Sequence, residues 1–117
     1  MQAERMRNRI EVMQRYCAEN GRAHSIMGWV EGPAAEAATV RGVENFFMDL
    51  LTDPENAGAL MDTCVEVAIA FAKMQAAQGA DTIGFGDAVA SQVSWPVYSE
   101  LVLPREIRLV SALRQME

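Results

Sequence analysis

The stretch His24-Ser-Ile-Met-Gly-Trp-Val30, which runs into Glu31-Gly32-Pro33, decides how this chain reads. It is a short, mostly apolar run closed by turn residues, the pattern of a strand covered on both faces. A second run, Asp81-Thr-Ile-Gly-Phe-Gly86, has the same form and passes directly into Asp87. The roughly fifty residues between the two read as helix, ample for the crossover that parallel strands require. Parallel pairing brings Glu31 and Asp87 out at one end of a sheet, with His24 and Asp81 at the other.

Outward from these strands, helices are marked by spacing and by caps. Residues 3 to 20 carry Met6, Ile10, Met13 and Cys17 on one face, and Gly21 supplies a stop. Ala34 to Leu51 holds Val43, Phe46, Phe47, Leu50 and Leu51, and Gly42 is expected to break it in two. Asp53-Pro54-Glu55 is a helix start with an Asp cap, a tolerated proline and an acid that complements the dipole. That helix should run to Gln78, where Gly79 ends it. Pro96 and Pro104 mark two further starts, and the last helix places Ile107, Val110 and Leu113 on one side.

The order α, β, α, α, β, α, α is that of an α/β protein. Two strands cannot bury the apolar faces of so many helices, and a complete (β/α)8 barrel takes about 250 residues. Residues 1–117 therefore read as one domain that is a partial barrel, two parallel strands with covering helices. In such a barrel the face at the strand C-termini carries the chemistry, which places the site at Glu31 and Asp87. No internal repeat, low-complexity segment or linker interrupts the chain.

Half of the 117 residues are hydrophobic, which supports a globular core and argues against disorder. Acids interrupt every apolar stretch, so none reaches the roughly 18 to 20 residues of a membrane span. Glu4 and Glu11 within the Arg-rich first helix argue against a targeting peptide, and a cytoplasmic protein is expected. The net charge of −6 is uneven: Arg5, Arg7, Arg9, Arg15 and Arg22 crowd the start, whereas residues 31 to 100 hold eleven acids against Arg41 and Lys73. Nucleic acid is a poor partner for that middle. Cys17 and Cys64 sit on apolar helical stripes and read as core, not as a disulfide or a metal site, and His24 has no second ligand nearby. The eight methionines, Trp29 and Trp95 read as packing residues.

Taken together, Gly32-Pro33, Arg41-Gly42, Met48-Asp49, Asp53-Pro54-Glu55, Ala72-Lys73, Gln75, Gly79-Ala80-Asp81, Gly86-Asp87 and Tyr98-x-Glu100-x-Val102-Leu103-Pro104 resemble the uroporphyrinogen decarboxylase superfamily, over about residues 28 to 111. The resemblance implies a TIM barrel and one of two activities. One is decarboxylation of uroporphyrinogen, a lyase reaction of porphyrin biosynthesis. The other is methyl transfer from a methyl-corrinoid protein to a thiol or folate-type acceptor. Thr39 stands where the decarboxylases carry a substrate-contacting tyrosine, and Ala88 where they carry a serine. Glu31-Gly-Pro-Ala-Ala-Glu36-Ala resembles a stretch of methyltransferase-like members, so that branch is expected.

For the complete protein this branch implies zinc and a methyl-corrinoid as cofactors. Its zinc-binding His-x-Cys pair and late cysteine do not occur here, nor do the decarboxylases' early arginine and aspartate or their late histidine. The chain is expected to be a middle segment, catalytically incomplete by itself.

Asp87 is the expected catalytic residue, since Gly86 lets the backbone approach a ligand and Ser91 lies one turn on. Glu31, Glu36, Thr39 and Arg41 are the expected contacts to a small-molecule substrate. Structural alternatives stand beside them: Glu31 capping the helix after Gly32-Pro33, Asp87 capping the next helix, Glu36 complementing a dipole, and Arg41 pairing with Glu44 or Asp49. A non-catalytic alternative is an interaction module whose uncovered strand edges self-associate or pair with another chain.

Overall fold

The computed structural model describes residues 3–21 and 23–116; Arg22, counted above in the basic cluster, lies outside them. Strands β1 (Met27–Glu31) and β2 (Thr82–Gly86) pair in parallel, from Met27 opposite Thr82 to Glu31 opposite Gly86. The pairing is the one expected, but β1 begins later than the sequence predicts, and His24, Ser25 and Ile26 fall outside it. Asp81 is the reason. Its carboxylate accepts the Ser25 hydroxyl at 2.6 Å and the Ile26 N–H at 3.2 Å, and its own N–H donates to the Ile26 carbonyl at 3.0 Å, so one residue fastens the backbone ahead of β1.

Six helices accompany the sheet among the described residues, beginning with α1 (Glu4–Asn20), α2 (Pro33–Arg41), α3 (Val43–Thr52) and α4 (Pro54–Ala77). Gly42 separates α2 from α3 at a φ of 90°, a region costly for any residue with a Cβ. Asp53 caps α4 by accepting the Asn56 N–H at 3.4 Å, as its position before Pro54 predicts. The long α4 is the spine of the molecule. One side of it, with Met61 and Cys64, packs on Ala34, Ala37 and Ala38 of α2 and on Phe46 and Leu50 of α3. Another side, with Val65, Ala68, Phe71 and Ala72, packs on Val30 of β1. Each large side chain buried this way contributes about 1.5–3 kcal/mol.

Several packing expectations change. No residue of α1 is buried; Met6 and Ile10 only lean on the second cluster, and Cys17 is half-buried rather than core. Met61 is fully buried, but Met27 and Met48 are exposed, as are Trp29 and Trp95. In β1, Gly28 and Val30 face α4 whereas Met27, Trp29 and Glu31 face outward, so the sheet is covered on one face, not two. The Trp29 ring lies over Gly84 and Gly86 on the open face.

The outer edge of β1 is plugged. Buried Gln75 of α4 accepts the Trp29 N–H and donates to the Trp29 carbonyl, both at 3.0 Å, where a neighbouring strand would otherwise bond.

After a short 3₁₀ turn (Ala88–Gln92), α5 (Trp95–Val97), a π-helical turn (Tyr98–Val102) and α6 (Leu103–Arg114) form one continuous run instead of two helices. Pro104 has no N–H to continue an α-helix, and the wider π turn ahead of it accommodates that loss. Arg105 takes up a freed acceptor, its Nη1 donating to the Leu101 carbonyl at 2.6 Å. Its Nε also bonds Asp62 at 2.9 Å, and Arg108 pairs with Glu66; both acids lie on α4. Between these pairs Leu109 is buried against Val65, Ala68 and Phe71 of α4, and Ile107, expected inside, is 56% exposed. No helix among the described residues is long and apolar enough to cross a membrane.

Candidate functional site

Because Glu31 sits opposite Gly86 in the register, Glu31 and Asp87 emerge at the same end of the sheet. Asp87 does not cap the 3₁₀ turn that follows it. Instead it reaches across the strand end to α2, accepting the Ala35 N–H at 2.6 Å and the Ala34 N–H at 3.4 Å. These are donors that a helix N-terminus leaves without intrahelical partners. Gly32 makes the approach feasible, since a Cβ there would lie 2.6 Å from Asp87 Cβ.

Two residues complete this corner: Glu106, which the sequence reading did not single out, and Tyr98, which it quoted only as part of a family motif. Glu106 of α6 faces Asp87 within hydrogen-bonding reach, and its Oε2 accepts the Tyr98 hydroxyl at 2.6 Å. Burial pushes the Asp87 carboxyl up to about 6; the Glu106 carboxyl adds to that rise, and the Ala35 and Ala34 N–H groups oppose it. Asp87, Tyr98 and Glu106 line a cleft of about 470 Å³ with Ser91 and Trp95. Ser91 is turned away to the Ala88 carbonyl at 2.8 Å. Trp95 is 70% exposed and packs against Tyr98 with ring centres 5.8 Å apart.

A second cleft, about 400 Å³, gathers Glu31, Glu36 and Thr39 with Trp29 and the arginines Arg5 and Arg9 of α1. Glu31 accepts the Trp29 indole N–H at 3.3 Å and makes no cap to α2. The Thr39 hydroxyl donates to the Ala35 carbonyl at 3.0 Å. Arg41 lines neither cleft: its Nε meets Asp49 at 2.7 Å, the ion pair foreseen as its alternative. Cys64 lies buried under the second cleft, where burial and then the Glu36 charge push its thiol up to about 11. It stays protonated at neutral pH and is a poor metal ligand. Among the described residues no three His, Cys, Asp or Glu side chains gather as a metal site requires, so the residues of this segment do not fit zinc.

The family model for uroporphyrinogen decarboxylase (URO-D) matches residues 1–117. The chain belongs to the URO-D family. Among curated URO-D relatives, a methylated-thiol–coenzyme M methyltransferase of Methanosarcina mazei is 36% identical over 90 residues, 75% of this chain and 24% of that protein. A methylcobamide:CoM methyltransferase of Methanosarcina acetivorans is 29% identical over 110 residues, 92% of this chain and 32% of that protein. Its Methanosarcina mazei counterpart is 30% identical over 99 residues, 83% of this chain and 29% of that protein. The chain thus spans about a quarter to a third of the length of these relatives. No solved structure matches it. The relatives support the methyltransferase branch of the URO-D superfamily, the branch expected from Glu31 to Ala37.

Proposed function

We propose that this chain is a segment of a corrinoid-dependent methyltransferase that methylates a thiol, and that the strand ends of β1 and β2 are its share of the substrate mouth. In the complete protein these two strands belong to a TIM barrel, in which a neighbouring strand takes the β1 edge that Gln75 closes here and the barrel interior covers the face that carries Trp29. The observation that carries the reading is Asp87: a carboxyl raised to about 6, at the end of β2, level with Glu31.

A thiol ionises near pH 8.5, about, and its sulfur must lose a proton before it attacks a methyl group. At pH 7 a carboxyl near 6 is mostly ionised, and it is a stronger base than an ordinary aspartate, so it suits that proton better. Asp87 takes the S–H proton onto a carboxylate oxygen while the bonding pair stays on sulfur as the thiolate. A methyl-corrinoid, carried by a corrinoid protein partner, supplies the methyl group when bound. Exposed Trp95 at the lip of the Asp87 cleft offers a flat aromatic surface to such a planar ring. Glu31, Glu36 and Thr39 line the second cleft with Arg5 and Arg9, beside the strand end that carries Asp87, and the arginines there suit an anionic group. Arg41, through Asp49, ties α2 to α3.

The test is made on a protein that contains this segment in a complete barrel, given methylcobalamin and a small thiol. The expected result is thiol-dependent loss of the methyl–cobalt absorbance with recovery of a methyl thioether. Release of carbon dioxide from uroporphyrinogen, with no thioether formed, would overturn the reading.

A further inference from the structure

We infer that Glu106, tethered by Tyr98, is a positioning residue for Asp87: it holds the Asp87 carboxyl against the N-terminus of α2. The inference rests on the reading of Asp87 as the proton acceptor and goes beyond it by naming what tunes that acceptor. Three placements converge. Asp87 is fixed from one side by the Ala34 and Ala35 N–H groups. Glu106 comes from α6 on the other side, and the Tyr98 hydroxyl, 2.6 Å from its Oε2, keeps it from swinging out to water. All three side chains line one cleft.

The sequence neighbours of this corner add no competing cation. Arg105, beside Glu106, is turned to Asp62 and the Gly58 carbonyl, while Glu31 and Glu36 line the other cleft. On Asp87 act the two α2 N–H groups, which favour its ionised form, and Glu106, which disfavours it. Burial most of all, and then the neighbouring Glu106 carboxyl, disfavour the ionised form of Asp87, so Asp87 keeps its proton to a higher pH than an isolated aspartate does. A proton taken from substrate then settles on Asp87, and the Tyr98 hydroxyl keeps the Glu106 carboxyl beside it.

The experiment is a pH titration of the ¹³C-labelled aspartate and glutamate carboxyls of the 117-residue chain by NMR, with the Ala35 amide signal as the control for folding. In the native chain the Asp87 carboxyl should titrate with a midpoint near 6. In Glu106→Gln, which keeps an acceptor for Tyr98 but removes the charge, the midpoint should move down toward the ordinary aspartate range. Tyr98→Phe, which leaves both carboxyls and removes only the tether, should move it in the same direction by less. A midpoint that stays near 6 in both variants, with the Ala35 amide undisturbed, would overturn the inference, because burial alone would then set it. A shift as described, in a segment whose complete protein transfers no methyl group, would sustain Glu106 as the partner of Asp87 while rejecting the proposed reaction.

Discussion

Gly32 and Asp87 share one corner of the fold so closely that a Cβ on Gly32 would lie 2.6 Å from both Cβ and Cγ of Asp87. The Gly-Pro that ends the first strand segment and the acid that ends the second are therefore two halves of one contact. Gly32→Ala should displace Asp87 from the Ala34 and Ala35 N–H groups and cost about 1–3 kcal/mol, the range for overpacking. Urea unfolding of the single variant and of Gly32→Ala with Asp87→Gly checks this; the second change should recover much of the loss caused by crowding.

Asp87 also gives stability a pH dependence of defined sign. Its folded carboxyl titrates near 6 and an unfolded aspartate near 3.9, about, so between these values the folded state binds more protons. Its contribution is present below the lower value and is lost as the pH rises through about 6. Asp81 has the opposite sign: the Ser25 hydroxyl, then the Ile26 N–H, hold its carboxyl low, so its smaller contribution is lost on acidification. The difference in urea midpoint between the native chain and Asp87→Asn, followed from pH 4 to pH 7, cancels the Asp81 effect. Native stability should fall relative to the variant across that window.

Gln75 closes the β1 edge with its carboxamide, so Gln75→Leu should free the Trp29 N–H and carbonyl. Hydrogen exchange at the Trp29 amide should quicken by about tenfold or more, equivalent to about 1.4 kcal/mol for one lost bond of this kind. Sedimentation at rising concentration reads the second consequence: the opened edge should self-associate more than the native one. Equal exchange rates in the two proteins would show that the plug contributes nothing.

The two cysteines should behave differently toward iodoacetamide at pH 8. Cys64 is buried with its thiol pushed up to about 11, whereas Cys17 is half-buried on α1. Mass spectrometry of the folded chain should find Cys17 labelled first, and equal labelling only after denaturation.

What the sequence revealed was local. The strand segments, the break at Gly42 and the start at Asp53-Pro54 each depend on residues within a few positions, and each is present in the structure. The parallel pairing was legible because a helical crossover leaves little alternative. The corner around Asp87 was only half legible. Asp87 and Glu31 could be placed at the strand ends, but the helix that Asp87 caps lies far back along the chain, not next to it. Glu106 was missed, and Tyr98 was read only as part of a family motif, because they come from a helical run whose register shifts through a π turn, a feature with no clear mark in sequence beyond Pro104. Ile107 was misassigned for a related reason: the face that packs on Val65, Ala68 and Phe71 of α4 is that of Leu109 and Leu113, a helical spacing offset from the one that includes Ile107. Gln75 entered the sequence reading only as one residue of the family resemblance. Its role appears only when the free edge of β1 is set beside it.

The most direct measurement is the turnover of thiol methylation, followed from pH 5 to pH 8, in a complete protein carrying this segment with Asp87 or with Asp87→Asn. The account predicts a fall of about ten- to ten-thousand-fold in Asp87→Asn, the span for losing a positioned acid–base group, and loss of the native profile's inflection near 6. Unchanged turnover and an unchanged profile in a well-folded Asp87→Asn protein would contradict it and leave Asp87 as the cap of α2 alone.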